Sequence, residues 1–158
     1  MAKTTTRVDA FSLLKTDHDA VKKMFKEYEG LGDHANKAKL ELSTRIFDEL
    51  AVHEQIEEEI FYPAIRESAT KGGVELVLEA YEEHHVADMI IEELKALSPE
   101  DEQYDAKMTV LQENIEHHIG EEEEELFPEA RRALGEVAEE IGEQMAQRKQ
   151  ELIGAQAR

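Results

Sequence analysis

Six side chains dominate the chemistry available to this sequence, and their pattern occurs twice. His53-x3-Glu57 is followed by Phe61-Tyr62-Pro63, and His118-x3-Glu122 by Leu126-Phe127-Pro128. In both copies the proline lies ten residues after the histidine. A solitary histidine precedes each pair: His18 lies 35 residues before His53, and His84 lies 34 before His118. Asp17-His18 and Glu83-His84 open the two halves, 66 residues apart. Four imidazoles and two carboxylates in a duplicated frame are the raw material of a two-metal site. A carboxylate has two oxygens and can bridge two ions, so the natural distribution is two histidines per metal with both glutamates bridging. Nitrogen and oxygen donors without sulfur suit iron or manganese, with zinc admitted on affinity.

These residues need helices to bring them together. Asp9 or Ser12 caps a first helix running to about Glu29, stopped by Gly30-Leu31-Gly32-Asp33. A second helix is expected from about Asn36 to Ser68. Pro63 should kink it or end its regular part, because a proline inside a helix removes a donor and clashes with the preceding turn. Lys71-Gly72-Gly73 reads as the clearest break, with a third helix from Val74 to about Ala96. Ser98-Pro99 reads as an N-cap and first helical position, starting a fourth helix that reaches about Leu134 and carries Pro128. Gly135 separates a C-terminal helix, about 136–153, whose apolar residues Val137, Ile141, Met145 and Leu152 favour one packed side. This helix could lie on its own bundle or on a second chain. Short connections favour antiparallel neighbours. The expected fold is all-α: an up-down antiparallel four-helix bundle with an additional short C-terminal helix. Residues 1–9 form an arm and 10–158 one domain, with its core at 10–134.

Helical periodicity then says which way the histidines face. Buried positions recur at i, i+3/i+4 and i+7. Phe11, Leu14, Val21 and Phe25 share a stripe with His18; Ile46, Leu50, Glu57, Ile60 and Phe61 share one with His53. Val77, Ala80, Ala87 and Ile91 accompany His84, and Leu111, Ile115, Glu122 and Leu126 accompany His118. Burying an unpaired carboxylate costs several kcal/mol. Four imidazoles and two carboxylates at matching depth therefore require a compensating partner, and a pair of metal ions supplies it.

Composition narrows the function further. The chain has 158 residues, 41% of them hydrophobic, enough for one domain with a real core. A net charge of −20 argues against nucleic acid and anionic membrane as partners and draws cations in. The absence of cysteine excludes disulfides and thiolate sites and suits a reducing, cytoplasmic setting. The first residues carry Lys3 and Arg7 without a following apolar stretch, so no signal peptide is expected, and no stretch is long and apolar enough to span a membrane.

On His18, His53 with Glu57, His84, and His118 with Glu122, together with the flanking Phe61-Tyr62-Pro63 and Leu126-Phe127-Pro128, the sequence closely resembles the hemerythrin-like family, the HHE cation-binding domain. The resemblance covers about residues 10 to 134. It implies an up-down bundle holding two iron ions, oxo- or hydroxo-bridged, with manganese or zinc as substitutes. It also implies O2, peroxide or another small diatomic molecule as the reacting partner, in a monomer or homodimer. Family members bind O2, sense oxygen or redox state, handle peroxide or serve iron homeostasis, so catalase-like or O2-activating turnover and sensing without turnover both stay open. The oxygen carriers of the family have a fifth histidine four residues after the third-helix histidine. Here that position is Asp88. Each iron would then keep one open position, which favours peroxide or O2 chemistry or sensing over carriage. Asp88 or Glu54 could close one of those positions.

Other residues have plainer readings. His85 and His117 sit off the stripes and read as solvent-facing or outer-layer groups, and His34 as loop surface. The run Glu121 to Glu125 reads as a solvated face with only Glu122 turned inward. Tyr62 and Phe127 read as core aromatics capping the site, with the Tyr62 hydroxyl able to reach a bound oxygen. A ferritin-like oxidase needs two Glu-x-x-His motifs, and Glu82-x-x-His85 alone fits. A metal-free helical interaction module would tolerate apolar replacements at His53 and Glu57.

Overall fold

A computed structural model describes residues 9–68 and 71–157, and among these the chain is helical with no strand. Helix α1 spans Ala10–Glu29, and the Asp9 carboxylate accepts the Ser12 N–H at 2.8 Å, the N-cap expected from sequence. Helix α2 spans Asn36–Ile56 and continues through a wider turn, Glu57–Phe61, into α3, Tyr62–Ser68. Helix α4 runs Lys71–Lys95. Helix α5, Tyr104–Glu121, passes through a second wide turn, Glu122–Leu126, into α6, Phe127–Leu134, and α7 spans Val137–Gln156. Helix α1 packs along the α2–α3 rod and α4 along the α5–α6 rod, and the two pairs close into a bundle. Helix α7 lies on its own chain, against α1 and α2. Among the described residues no helix is long and apolar enough to cross a membrane.

Four details differ from the sequence expectations. The expected break at Lys71-Gly72-Gly73 falls inside α4, which begins at Lys71; the N-terminal arm lies outside the described residues except for Asp9. Ser98-Pro99 do not start α5. The Ser98 hydroxyl accepts the Glu100 N–H at 3.2 Å and Asp101 accepts that of Gln103 at 2.9 Å, so these polar side chains hold a turn up to Tyr104. On α7, Val137 is exposed and Ala138 takes the buried position beside Ile141 and Met145.

The fourth difference shapes the site. The α pattern is interrupted ahead of each proline, not at it. The N–H of Tyr62 donates to the carbonyl of Glu57, and that of Phe127 to the carbonyl of Glu122, both five residues back. In a regular helix the Pro63 ring would strike the carbonyl four residues earlier. One extra residue in the turn relieves that clash, and such π-turns recur at functional sites. It also turns the residue five after each glutamate back towards the core.

The apolar interior is divided in two. Phe11, Leu14, Phe61, Phe127, Ile141 and Met145 belong to one cluster, and Phe25, Ile46, Phe47, Ile91, Met108 and Leu111 to the other. Between them lies a buried polar layer of Asp17, His18, His53, Glu54, Glu57, His84, His118 and Glu122. The chain leaves α6 through Gly135, whose φ of 53° and ψ of −126° favour glycine. Nothing lies within 4 Å of a Cβ added there, so Gly135→Ala tests the backbone alone. It should lower stability by about 1–3 kcal/mol in urea unfolding, with no change in helix content.

Candidate metal centre

All six residues singled out by spacing are buried, and the bundle brings them to one place. His18 comes from α1, His53 from α2, His84 from α4 and His118 from α5, while each glutamate opens a π-turn. The ligand-type atoms of His18, His53, Glu57 and Glu122 lie within 4.8 Å of one another, as do those of Glu57, His84 and His118. Glu57 belongs to both groups: its Oε1 is 2.9 Å from His53 Nε2 and 3.3 Å from His84 Nε2. Glu122 also spans the two, with Oε1 3.1 Å from His18 Nε2 and Oε2 3.2 Å from His118 Nε2. The His84 and His118 Nε2 atoms face each other at 3.2 Å.

Every inner contact therefore uses Nε2, and each Nδ1 faces outward to a carboxylate. His53 Nδ1 is 3.0 Å from Asp17 Oδ2, and His118 Nδ1 is 3.0 Å from Glu83 Oε1. The two acids are the residues before His18 and His84, so a side chain one step off the buried stripe reaches the neighbouring helix. The matching contacts of His18 to Glu123, at 3.8 Å, and of His84 to Glu58, at 3.6 Å, are too long for hydrogen bonds. An ionised carboxylate only accepts, so Asp17 and Glu83 fix a proton on Nδ1, and in the neutral ring this turns the Nε2 lone pairs of His53 and His118 inward. Metal-binding histidines are held in this way. Lys149 of α7 donates to Asp17, extending the support to the C-terminal helix. His117 is more exposed, 3.0 Å from Glu121 and 3.7 Å from Glu83, and touches the centre only through Glu83.

Tyr62 stands inside this set, more than the cap read from sequence. Its hydroxyl donates to Glu122 Oε2 at 2.6 Å, and lies 3.1 Å from Glu57 Oε2 and 3.3 Å from His84 Nε2. The π-turn explains this: the residue five after Glu57 would point well off the stripe in a regular helix, yet here stacks over it. Phe127, its counterpart in the second copy, lies parallel to the His18 ring at a centroid distance of 6.0 Å. Of the two residues offered as replacements for a fifth histidine, Asp88 is exposed and outside the group, whereas Glu54 is buried and lines the small cavity beside His18, His53, His84 and His118. His34 and His85 are exposed.

Electrostatic pairing holds the layer together. Burial disfavours the imidazolium of His53, but Glu57 and Asp17 outweigh it and hold the ring well above the usual histidine range. Against the same burial, Glu122 and Glu83 hold His118 well above it, and the carboxylates of Glu57 and Glu58 beside His84 bring that ring to about 9. Burial raises Glu122, yet His118 and His18 more than offset it and leave the carboxyl well below its ordinary value. Burial and the carboxylates of Glu122 and Glu57 push the Tyr62 phenol well above its usual range. Burial, with Asp88 beside it, pushes Glu54 up to about 9. Protons thus neutralise carboxylates that a metal ion could neutralise instead. They do so incompletely: His53 Nε2 and Glu57 Oε1 are buried and 2.9 Å apart, yet make no hydrogen bond with each other or with another group. A cation between them would answer both, so the donor set fits a metal centre.

The family model described as the hemerythrin HHE cation binding domain matches residues 9–130. The chain is 28% identical over 122 residues to a protein named DNA nickase from Nostoc sp., a match covering 77% of this chain and 33% of that protein. It therefore spans about a third of that relative's length. A crystal structure of a hemerythrin HHE cation binding domain-containing protein from Mycobacterium kansasii superposes with a TM-score of 0.80 at 23% sequence identity, over 94% of this chain and 89% of that one. At that identity the likeness is one of fold. The matched segment takes in both copies of the His/Glu frame, and the chain belongs to the hemerythrin HHE cation-binding family.

Proposed function

We propose that this chain is a non-haem di-iron protein whose centre reacts with O2 or peroxide. His18, His53, His84 and His118 would hold two ions, with Glu57 and Glu122 shared between them. The observation that carries the reading is the placing of Glu57, one oxygen of which stands within reach of histidines from both halves. Bound iron would supply electron exchange with the oxidant. The chain would supply the rest. Asp17 and Glu83 orient His53 and His118, and Tyr62 offers a proton to the shared carboxylates. Val21, Leu50, Ile115 and Ile119 close the cavity beside the histidines with hydrocarbon. That cavity has room for a molecule of about the size of water, which favours O2 or peroxide over larger substrates. The net charge of −20 works against binding a phosphate backbone, so cleavage of DNA is not carried over from the longer relative.

Metal analysis with the visible spectrum, before and after hydrogen peroxide, tests this reading. The wild type should carry about two irons per chain, and Glu57→Ala should lose most of its metal while remaining helical. Full metal binding by Glu57→Ala would remove the proposed centre. Consumption of added peroxide would identify an enzyme, and its absence a sensor or iron-binding role. Tyr62→Phe should retain iron but alter the spectrum or the peroxide rate; if neither moves, the phenol has no part in the chemistry.

Two further outcomes follow from the supporting charges. Asp17→Asn and Glu83→Gln should each weaken metal affinity about 10- to 100-fold, as measured by competition with a chelator. The pH response should reverse sign with loading. In the metal-free chain the raised value of His84 contributes stability that is complete below about 6.5 and lost as pH rises through about 9. Metal needs neutral imidazoles, so loading should strengthen over the same interval. Thermal melts should show the metal-free protein losing stability from about pH 6.5 to pH 9 while excess metal stabilises it increasingly.

A further inference from the structure

Glu54 is the one buried acid of the polar layer that the proposed centre leaves without a role. It is 6% exposed, and its Oε1 has no hydrogen-bond partner. Its position is unusual in a second respect. It lines the small cavity beside the four histidines and also an open groove on the outside of the bundle, between α2 and α4. Glu58, Asp88 and Glu92 line the same groove, and Lys95 at its end pairs with Glu92 at 3.5 Å. The acidic groove and the histidine cavity thus meet at a single desolvated carboxyl.

The duplicated frame carries different residues at the matching positions. Ile119 follows His118 as Glu54 follows His53, and Lys22 lies four residues after His18 as Asp88 does after His84. Glu123, the counterpart of Glu58, is engaged by Lys15 at 3.4 Å. At these positions the first set thus presents carboxylates, and the second presents Ile119, Lys22 and a glutamate already paired with lysine. A hydrated divalent cation is drawn more strongly to the first set than to the second.

We propose that the α2–α4 groove is the path by which divalent metal ions reach the centre. Asp88 and Glu58 collect the cation from solvent, and Glu54 releases its proton to the groove as it takes the cation, displaces the cation's water and passes it to His53 and His84. The path rests on the di-metal reading above, but rate and final occupancy separate the two. Cobalt(II) is a suitable probe, since its visible absorption reports coordination. Stopped-flow mixing of Co(II) with the metal-free full-length chain should give slower loading in Glu54→Gln and Asp88→Asn than in the wild type. The slowing should be about tenfold or more at low salt and shrink as salt is raised, with final occupancy unchanged. Lys22→Asn, in the second set, should load at the wild-type rate. Wild-type rates in both acidic variants overturn the path, as does an equal effect of Lys22→Asn. Lower final occupancy at an unchanged rate also overturns it, making Glu54 a static ligand. If Glu54→Gln does not fold, Asp88→Asn at the exposed lip decides the matter alone. A wild type that takes up no Co(II) overturns the metal centre itself.

Discussion

The constraint on which this structure depends is the burial of a polar layer in the middle of a helical bundle. Two apolar clusters lie on either side of it, and neither extends through it. Carboxylates and imidazoles at that depth are costly unless each charge meets its opposite. Much of the surrounding architecture serves that requirement. The lone histidines and the His-x3-Glu pairs come from alternate helices, so each Nε2 finds a carboxylate within reach. Acids one residue off the stripe secure two outer nitrogens from neighbouring helices. Even α7, which contributes nothing to the layer itself, is tied to it through Lys149 and Asp17.

The π-turns answer a conflict between two local demands. The spacing of four in His53-x3-Glu57 needs a regular helix, whereas Pro63 and Pro128 cannot be accommodated in one without losing a carbonyl partner. Widening the turn between glutamate and proline satisfies both. Because the turn starts at the glutamate, the carboxylate sits where the helix is locally wider and its side chain can face two neighbours. The same widening brings an aromatic residue over the layer in each half.

Much of this was legible in the sequence, and the exceptions have physical causes. The six inward residues and nearly all of their stripe companions follow from a period of 3.6, since each interrupts an apolar repeat at the same depth. Ile60, read as a stripe residue, is only partly buried because the π-turn has shifted the register by one. Tyr62 reads from sequence as a cap whose hydroxyl could reach a bound oxygen, and its direct bonds to Glu122 and Glu57 escape that reading for the same reason. A proline marks where a helix is disturbed, and it does not say that the disturbance is absorbed one turn earlier. Asp17 and Glu83 were visible as partners of His18 and His84, but their targets lie on other helices, which spacing along one chain does not reveal. Gly72 and Gly73 looked like a break and are absorbed into α4, showing that neighbouring packing can override a weak local preference.

The pairing of Tyr62 with Phe127 gives the duplicated frame an unequal pair of ends. The ring facing His84 carries a hydroxyl bonded among the carboxylates of Glu57 and Glu122, whereas the ring lying on His18 carries none. Two identical chains related by a two-fold axis would have to repeat the phenol or omit it at both ends. A single polypeptide that holds both copies is free of that symmetry. It can keep the His/Glu geometry matched while giving one end of the polar layer a hydroxyl and the other a bare hydrocarbon face, so that the two halves of one layer differ in chemistry.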